Sequence, residues 1–193
     1  MVQYYEARNK IIEGGIEVFR QKGPKFTMDD LAKEIGMSKK TIYVVFRDKS
    51  ALLIQMVDYM FDEIKQNEEA VLQNENLSTE QKLKAVLGVM PGRFQDMDFT
   101  QIYSQKEKFP HAYARMDERL ESGWETTLML INKGVEEGSF RKLDLTVFQI
   151  IYNAAIERFL NGSELSNNHI EYMDALNQLV DVMIGGIVKR DIV

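Results

Sequence analysis

The sequence predicts an all-α protein of about nine helices, with a three-helix head at the N-terminus and a larger helical body behind it. Three observations lead there. Apolar residues recur at three- and four-residue intervals, and no stretch alternates strictly enough to form a strand. The three prolines, Pro24, Pro91 and Pro110, fall where periodic segments should stop or start. Ser, Thr, Asp or Asn stands just ahead of most segments, in several cases with an acid or amide three residues on, as a capping box requires.

The first helix spans 4–22, turns Ile11, Ile12, Gly15, Ile16 and Phe19 inward, and stops at Gly23-Pro24. Thr27 with Asp30 caps a short helix over 28–35 that buries Met28, Leu31, Ala32 and Ile35. Gly36 supplies a turn, and Ser38 caps a third short helix running to Phe46. Asp48 caps a long fourth helix reaching about residue 72. Ser78 with Gln81 starts the next, which ends before Pro91-Gly92, and Asp98 with Gln101 starts a short one. A single long helix is expected over 110–137, closed by Gly138. Asp144 caps a helix over 145–160 that ends at Asn161-Gly162, and Asn168 with Glu171 opens the last, to about 189.

Composition narrows the function classes. Across 193 residues 45% are apolar, enough for a substantial core and too many for wholesale disorder. Cysteine is absent, which removes disulfides, thiolate metal sites and cysteine nucleophiles and fits a reducing cytoplasm. Residues 4–10 are polar where a signal peptide would be apolar, and no apolar run approaches the length of a membrane span. A soluble, cytoplasmic protein with no membrane partner is expected. The net charge is -6, but residues 1–50 hold 10 Lys+Arg against 7 Asp+Glu, leaving 14 against 23 for the remainder. A cationic head on an anionic body is the asymmetry expected where one end meets phosphate.

The informative stretch is 26–53. Two short helices joined by a glycine-containing turn make a helix-turn-helix, whose second helix lies in the DNA major groove. Its exposed face must donate hydrogen bonds to phosphates and base edges. Here that face presents Ser38, Lys39, Lys40, Thr41 and Tyr43, with Ile42 and Phe46 turned inward and Lys25, Arg47 and Lys49 flanking it. Taken alone, Ser-Lys-Lys-Thr also reads as an ordinary solvated helix start; the register of the whole stretch carries the assignment.

That register resembles the N-terminal signature of the TetR family of bacterial regulators. Ile12, Gly15, Phe19, Gly23, Thr27, Ile35, Gly36, Ser38, Thr41, Tyr43, Phe46, Lys49 and Leu52 fall at the family's spacing without gaps. The resemblance covers roughly residues 4–60 and implies a DNA-binding domain at 1–50 and an effector-binding, dimerising domain at 51–193. It implies that Thr27 caps the second helix and touches a phosphate. It places Ser38, Lys39, Lys40 and Thr41 in the groove and has Tyr43 and Lys49 reach backbone phosphates. Two residues depart from the family pattern. Lys40 replaces a frequent glycine, and Val45 replaces an aromatic or histidine that often touches the backbone.

For the body the resemblance implies a ligand pocket among the middle helices and a dimer interface on the last two. The residues support the interface: segment 147–160 is apolar around most of its circumference, and the last helix carries a wide apolar stripe. Ile151, Ala155, Phe159, Met173, Leu176, Val180, Met183 and Ile187 are the expected interface, with a finished monomeric core as the alternative. Pocket candidates are Met60, Met90, Phe94, Tyr103, Tyr113, Met116, Trp124 and Tyr152, a pool that suits a mostly apolar effector and equally an ordinary helical core. The stretch 134–141 resembles a segment that often ends the long helix in these regulators.

Catalytic chemistry finds little footing. His111 and His169 have no second histidine at helical spacing, and no phosphate-cradling or dinucleotide loop occurs. No enzyme activity, cofactor or metal is expected. The leading expectation is a homodimeric repressor released from a palindromic operator in double-stranded DNA by a small-molecule effector. The alternatives are a helical dimer answering to a partner protein or to no ligand, and a small-molecule-binding helical protein with a vestigial head.

Overall fold

The structure, a computed structural model, describes residues 2–95, 97 and 105–189. They form α1 (Val2–Lys22), α2 (Met28–Ile35), α3 (Lys39–Val45), α4 (Lys49–Gln73), α5 (Thr79–Leu87), α6 (Pro110–Glu121), α7 (Glu125–Glu136), α8 (Leu145–Asn161), α9 (Glu164–Asn167) and α10 (Tyr172–Ile187). Single 3-10 turns occur at Gly23–Lys25 and Gly92–Phe94. Among the described residues there is no strand, only an isolated antiparallel bridge between Phe140 and Val188. The chain is all-α, as its periodicity predicts. It divides into two compact units, Met1–Asp62 with Asp96–Arg119, and Glu63–Gln95 with Leu120–Val193.

In the first unit α1 packs on α2 and α3, burying Ile11, Ile12, Ile16, Phe19, Phe26, Leu31 and Ile42. Gly14 lets α1 approach α2 closely, because a Cβ there would overlap Ile35. The α2 capping box forms as its sequence requires. Thr27 Oγ1 accepts from the Asp30 backbone N–H at 3.1 Å, and Asp30 Oδ2 accepts from the Thr27 N–H at 2.8 Å. Gly36 closes α2 at φ 64°, a left-handed conformation that favours glycine. Ser38 Oγ then accepts from the Thr41 N–H at 3.1 Å to start α3. On α4, Asp58 takes hydrogen bonds from Arg115 Nε at 2.6 Å and Arg119 Nη1 at 3.4 Å, which ties α6 to α4.

In the second unit α5 packs on α7, and α10 packs on α5 and α8. Ser78 and Gln81 form a second capping box, and Asp144 Oδ1 accepts from the Thr146 and Val147 N–H groups to start α8. After α7 the chain reverses through Gly138 at φ 81°, so that the fully buried Phe140 ring lies against Gly134.

Three expectations about elements need correction. The long helix over 110–137 is broken into α6 and α7, because Gly123 adopts φ 79° and ends the first piece. Asn168 does not cap the last helix. Its side chain donates to the Glu164 carbonyl and closes the one-turn α9; His169 follows at φ 55°, and Glu171 is the N-cap. That helix ends at Ile187, because Val188 and Lys189 leave it to pair with Phe140 and Ser139. The short helix expected from Asp98 lies outside the described residues.

Candidate nucleic-acid interface

The sequence turns one face of α3 into the first unit and leaves the other to solvent. Ile42 and Phe46 are buried, while Ser38, Lys39, Lys40, Thr41 and Tyr43 are exposed. Ser38 and Thr41 share a hydroxyl hydrogen bond at 2.8 Å, which orients both side chains at the start of the helix. Lys39 Nζ lies 3.1 Å from Asp29, an exposed pair that holds the ammonium only loosely. Lys25 is exposed on the approach to α2, and Arg47 is exposed beyond α3 beside Asp48. Sequence reasoning passed over Val44, which is 74% exposed between Tyr43 and the half-buried Val45. An exposed valine on a helix otherwise rich in donors was the available signal.

Two expected contact residues are committed elsewhere. The Thr27 hydroxyl donates to Asp30 Oδ2 at 2.8 Å as well as accepting from its backbone, so its donor belongs to the capping box. Lys49, expected to reach a phosphate, turns inward. Its Nζ donates to the Pro24 carbonyl at 2.7 Å and to the Phe26 carbonyl, and it lies 3.9 Å from the Phe26 ring centroid. Burial, then the charge of Lys108, brings its pKa down to about 8, against an opposing pull from Asp30. Lys49 therefore fastens the start of α4 to the turn ahead of α2.

The body candidates separate by unit. Met60, Tyr113 and Met116 are buried in the first, while Met90, Phe94, Trp124 and Tyr152 lie in the second. Tyr103 lies outside the described residues. Trp124 and Tyr152 meet edge to face at 5.4 Å, and the Tyr152 hydroxyl donates to the Leu87 carbonyl at 2.6 Å.

The expected interface residues also divide. Leu176, Val180, Met183 and Ile187 are buried within the chain, and Ala155, Phe159 and Met173 are half-buried. The large apolar side chains that α8 and α10 leave to solvent are Val147, Ile150 and Ile151 on α8 and Val182 on α10, with an apolar groove between the two helices lined by Phe148, Met183 and Ile187. Of these exposed residues only Ile151 was expected at the interface. A second stripe at 147, 150, 151 and 154 on the same helix was the signal for the others.

Among the described residues no group of His, Asp and Glu is arranged to hold a metal ion, and no helix is long and apolar enough to cross a membrane.

Among the described residues the helices are arranged as a helix-turn-helix, with its capped second helix facing outward. Residues 11–56 match the family profile described as bacterial regulatory proteins, tetR family. The HTH-type transcriptional regulator YvaF of Bacillus subtilis is 26% identical over 178 residues, covering 92% of this chain and 94% of that protein. A structure from Haloarcula marismortui, described as a TetR transcription regulator, superposes with TM-score 0.70 at 18% identity, covering 96% of this chain and all of that one. A transcriptional regulator from Saccharomonospora viridis, solved in complex with choline, gives 0.72 at 20% identity, covering 96% and 100%. Bacillus subtilis FadR, solved with stearoyl-CoA, gives 0.62 at 17% identity, covering 92% and 98%. Residues 11–56 thus match the TetR-family DNA-binding segment, and the chain as a whole is similar in sequence to an HTH-type transcriptional regulator and in fold to TetR regulators.

Proposed function

We propose that this regulator is a cytoplasmic homodimeric repressor that leaves a palindromic operator when a small molecule binds its helical body. The observation that carries the DNA part is the exposed face of α3, where Ser38, Lys39, Lys40, Thr41 and Tyr43 stand clear of the core. Residues 1–50 serve as the reading head, and 51–193 as the dimerising and effector-binding domain. Lys39 and Lys40 supply charge to phosphates and donors to base edges, Tyr43 reaches a phosphate, and the methyl groups of Val44 suit the thymine methyl. Lys25 and Arg47 reach phosphates beside the groove, while Thr27 and Lys49 hold α2 and α4 in place.

The exposed apolar residues Val147, Ile150, Ile151 and Val182 support a second copy as the cover for α8 and α10. Two-fold symmetry would then set the half-sites about 34–36 Å apart, one helical turn of DNA. The complexes of two similar folds with choline and with stearoyl-CoA favour a small-molecule effector over a protein partner. For release, the effector must bind the operator-incompetent state more tightly, since equal affinity for both states shifts nothing.

Selection from a random duplex pool at near-physiological salt tests this reading. A palindrome with half-sites one turn apart is expected. Enrichment of a single asymmetric site, or of no site by a folded protein, would overturn it.

A further inference from the structure

The second unit holds a buried carboxylate whose surroundings suit a positive ligand. Glu68 is 7% exposed, and an ionised carboxylate at that depth needs a cationic partner or strong donors. The partner is Lys65, one turn earlier on α4, with Nζ at 2.8 Å. The same ammonium donates to the Gly123 carbonyl, which the left-handed break between α6 and α7 turns out of the helical ladder. The next residue is Trp124, packed edge-on against Tyr152. Tyr152 feels the Glu68 charge and the neighbouring Tyr172, and both phenols are pushed well above their ordinary range, chiefly by burial.

The inventory is therefore rich in acceptors and aromatic rings and poor in donors. Its cation is a primary ammonium on an alkyl stem, and the Lys65 side chain is 38% exposed, so it has a route to solvent. Resting on the effector-released reading above, we propose that this cluster is the effector site and takes an organic ammonium ion with an apolar body. The ligand's ammonium replaces that of Lys65 on Glu68 and the Gly123 carbonyl, its body lies against Trp124 and Tyr152, and Lys65 swings to water. No net charge is buried in the exchange, which removes the main cost of binding a cation in a core.

Trp124 is the only tryptophan, so its fluorescence reports on the site directly. The test titrates the full chain with benzylammonium, with benzyl alcohol as the uncharged analogue of the same shape and benzoate as the anion. Saturable change with benzylammonium is expected, with at least tenfold weaker response to either control. Glu68→Gln should weaken benzylammonium at least tenfold. Lys65→Met, which removes the internal competitor, should tighten it and should gain more thermal stability from the ligand than wild type does. Equal response to the three probes, no saturable change at the highest soluble concentration, or undiminished affinity in Glu68→Gln would overturn the site. Binding to the selected duplex, measured on the same samples, separates the two claims. Intact duplex binding without an amine response removes this site and leaves the regulator. Amine binding that leaves duplex affinity unchanged keeps the site and removes effector release.

Discussion

Lys40 and Lys49 carry the same charge and have different work. Lys40 is exposed on α3, so Lys40→Ala should lower the salt dependence of DNA binding by about one unit and leave folding unchanged. Lys49 spends its ammonium on the Pro24 and Phe26 carbonyls, so Lys49→Met should keep the salt slope and cost about 1–3 kcal/mol of stability. Thermal unfolding and salt titrations of both variants distinguish these outcomes; a lower slope in Lys49→Met would return that residue to the phosphate backbone. The pH dependence follows from the same burial. The folded-state pKa of about 8 lies below the unfolded value of about 10.4, so between them the unfolded chain binds more protons. Stability contributed by this group should therefore rise with pH across that window, and the melting temperature of wild type should gain on that of Lys49→Met from about pH 8 to pH 10. A constant difference would mean that the ammonium stays charged and solvated. The outward row from Ser38 to Tyr43 was legible because helical period and cap fix which side faces out. The inward turn of Lys49 was not, because the two carbonyls that hold it come from a turn some two dozen residues earlier, and spacing does not encode that meeting.

Among the elements, caps carried the most information and glycines inside helical patterns were the hardest to read. Thr27, Ser38, Ser78 and Asp144 each start the helix their side chains suggested, because an N-cap needs only local atoms. Gly123 looked tolerable within one long helix and instead divides it, while Gly134 sits within α7 because Phe140 folds back upon it. Gly134→Ala should push a methyl into that ring and cost about 1–3 kcal/mol by overpacking, seen as a lower denaturation midpoint at unchanged slope. An unchanged midpoint would mean that the Phe140 ring moves aside freely. On α8 the inner stripe was readable as core, but an all-round apolar helix does not say which side is left uncovered. If a second copy covers the exposed side, as proposed, Ile150→Glu should yield monomers by light scattering with helicity retained, whereas a persistent dimer would move the interface elsewhere.

Across the whole chain, basic residues are in excess in 1–50, the segment that carries α3, and acidic residues are in excess in the remainder. The class of fold and the outward face of α3 were legible because both depend on local pattern. The meeting of Glu68, Lys65 and Gly123 beside Trp124 was not, because it joins side chains far apart in the sequence. The central claim is that the exposed face of α3 reads sequence. Its most direct measurement compares wild type with the Lys39→Ala, Lys40→Ala, Tyr43→Ala triple variant on the selected duplex and on a scrambled one, over a range of salt. Wild type should prefer the selected duplex by at least a thousandfold. The variant should lose most of that preference and have a shallower salt slope, while remaining folded. A variant that retains both preference and slope would mean that DNA is read by another surface.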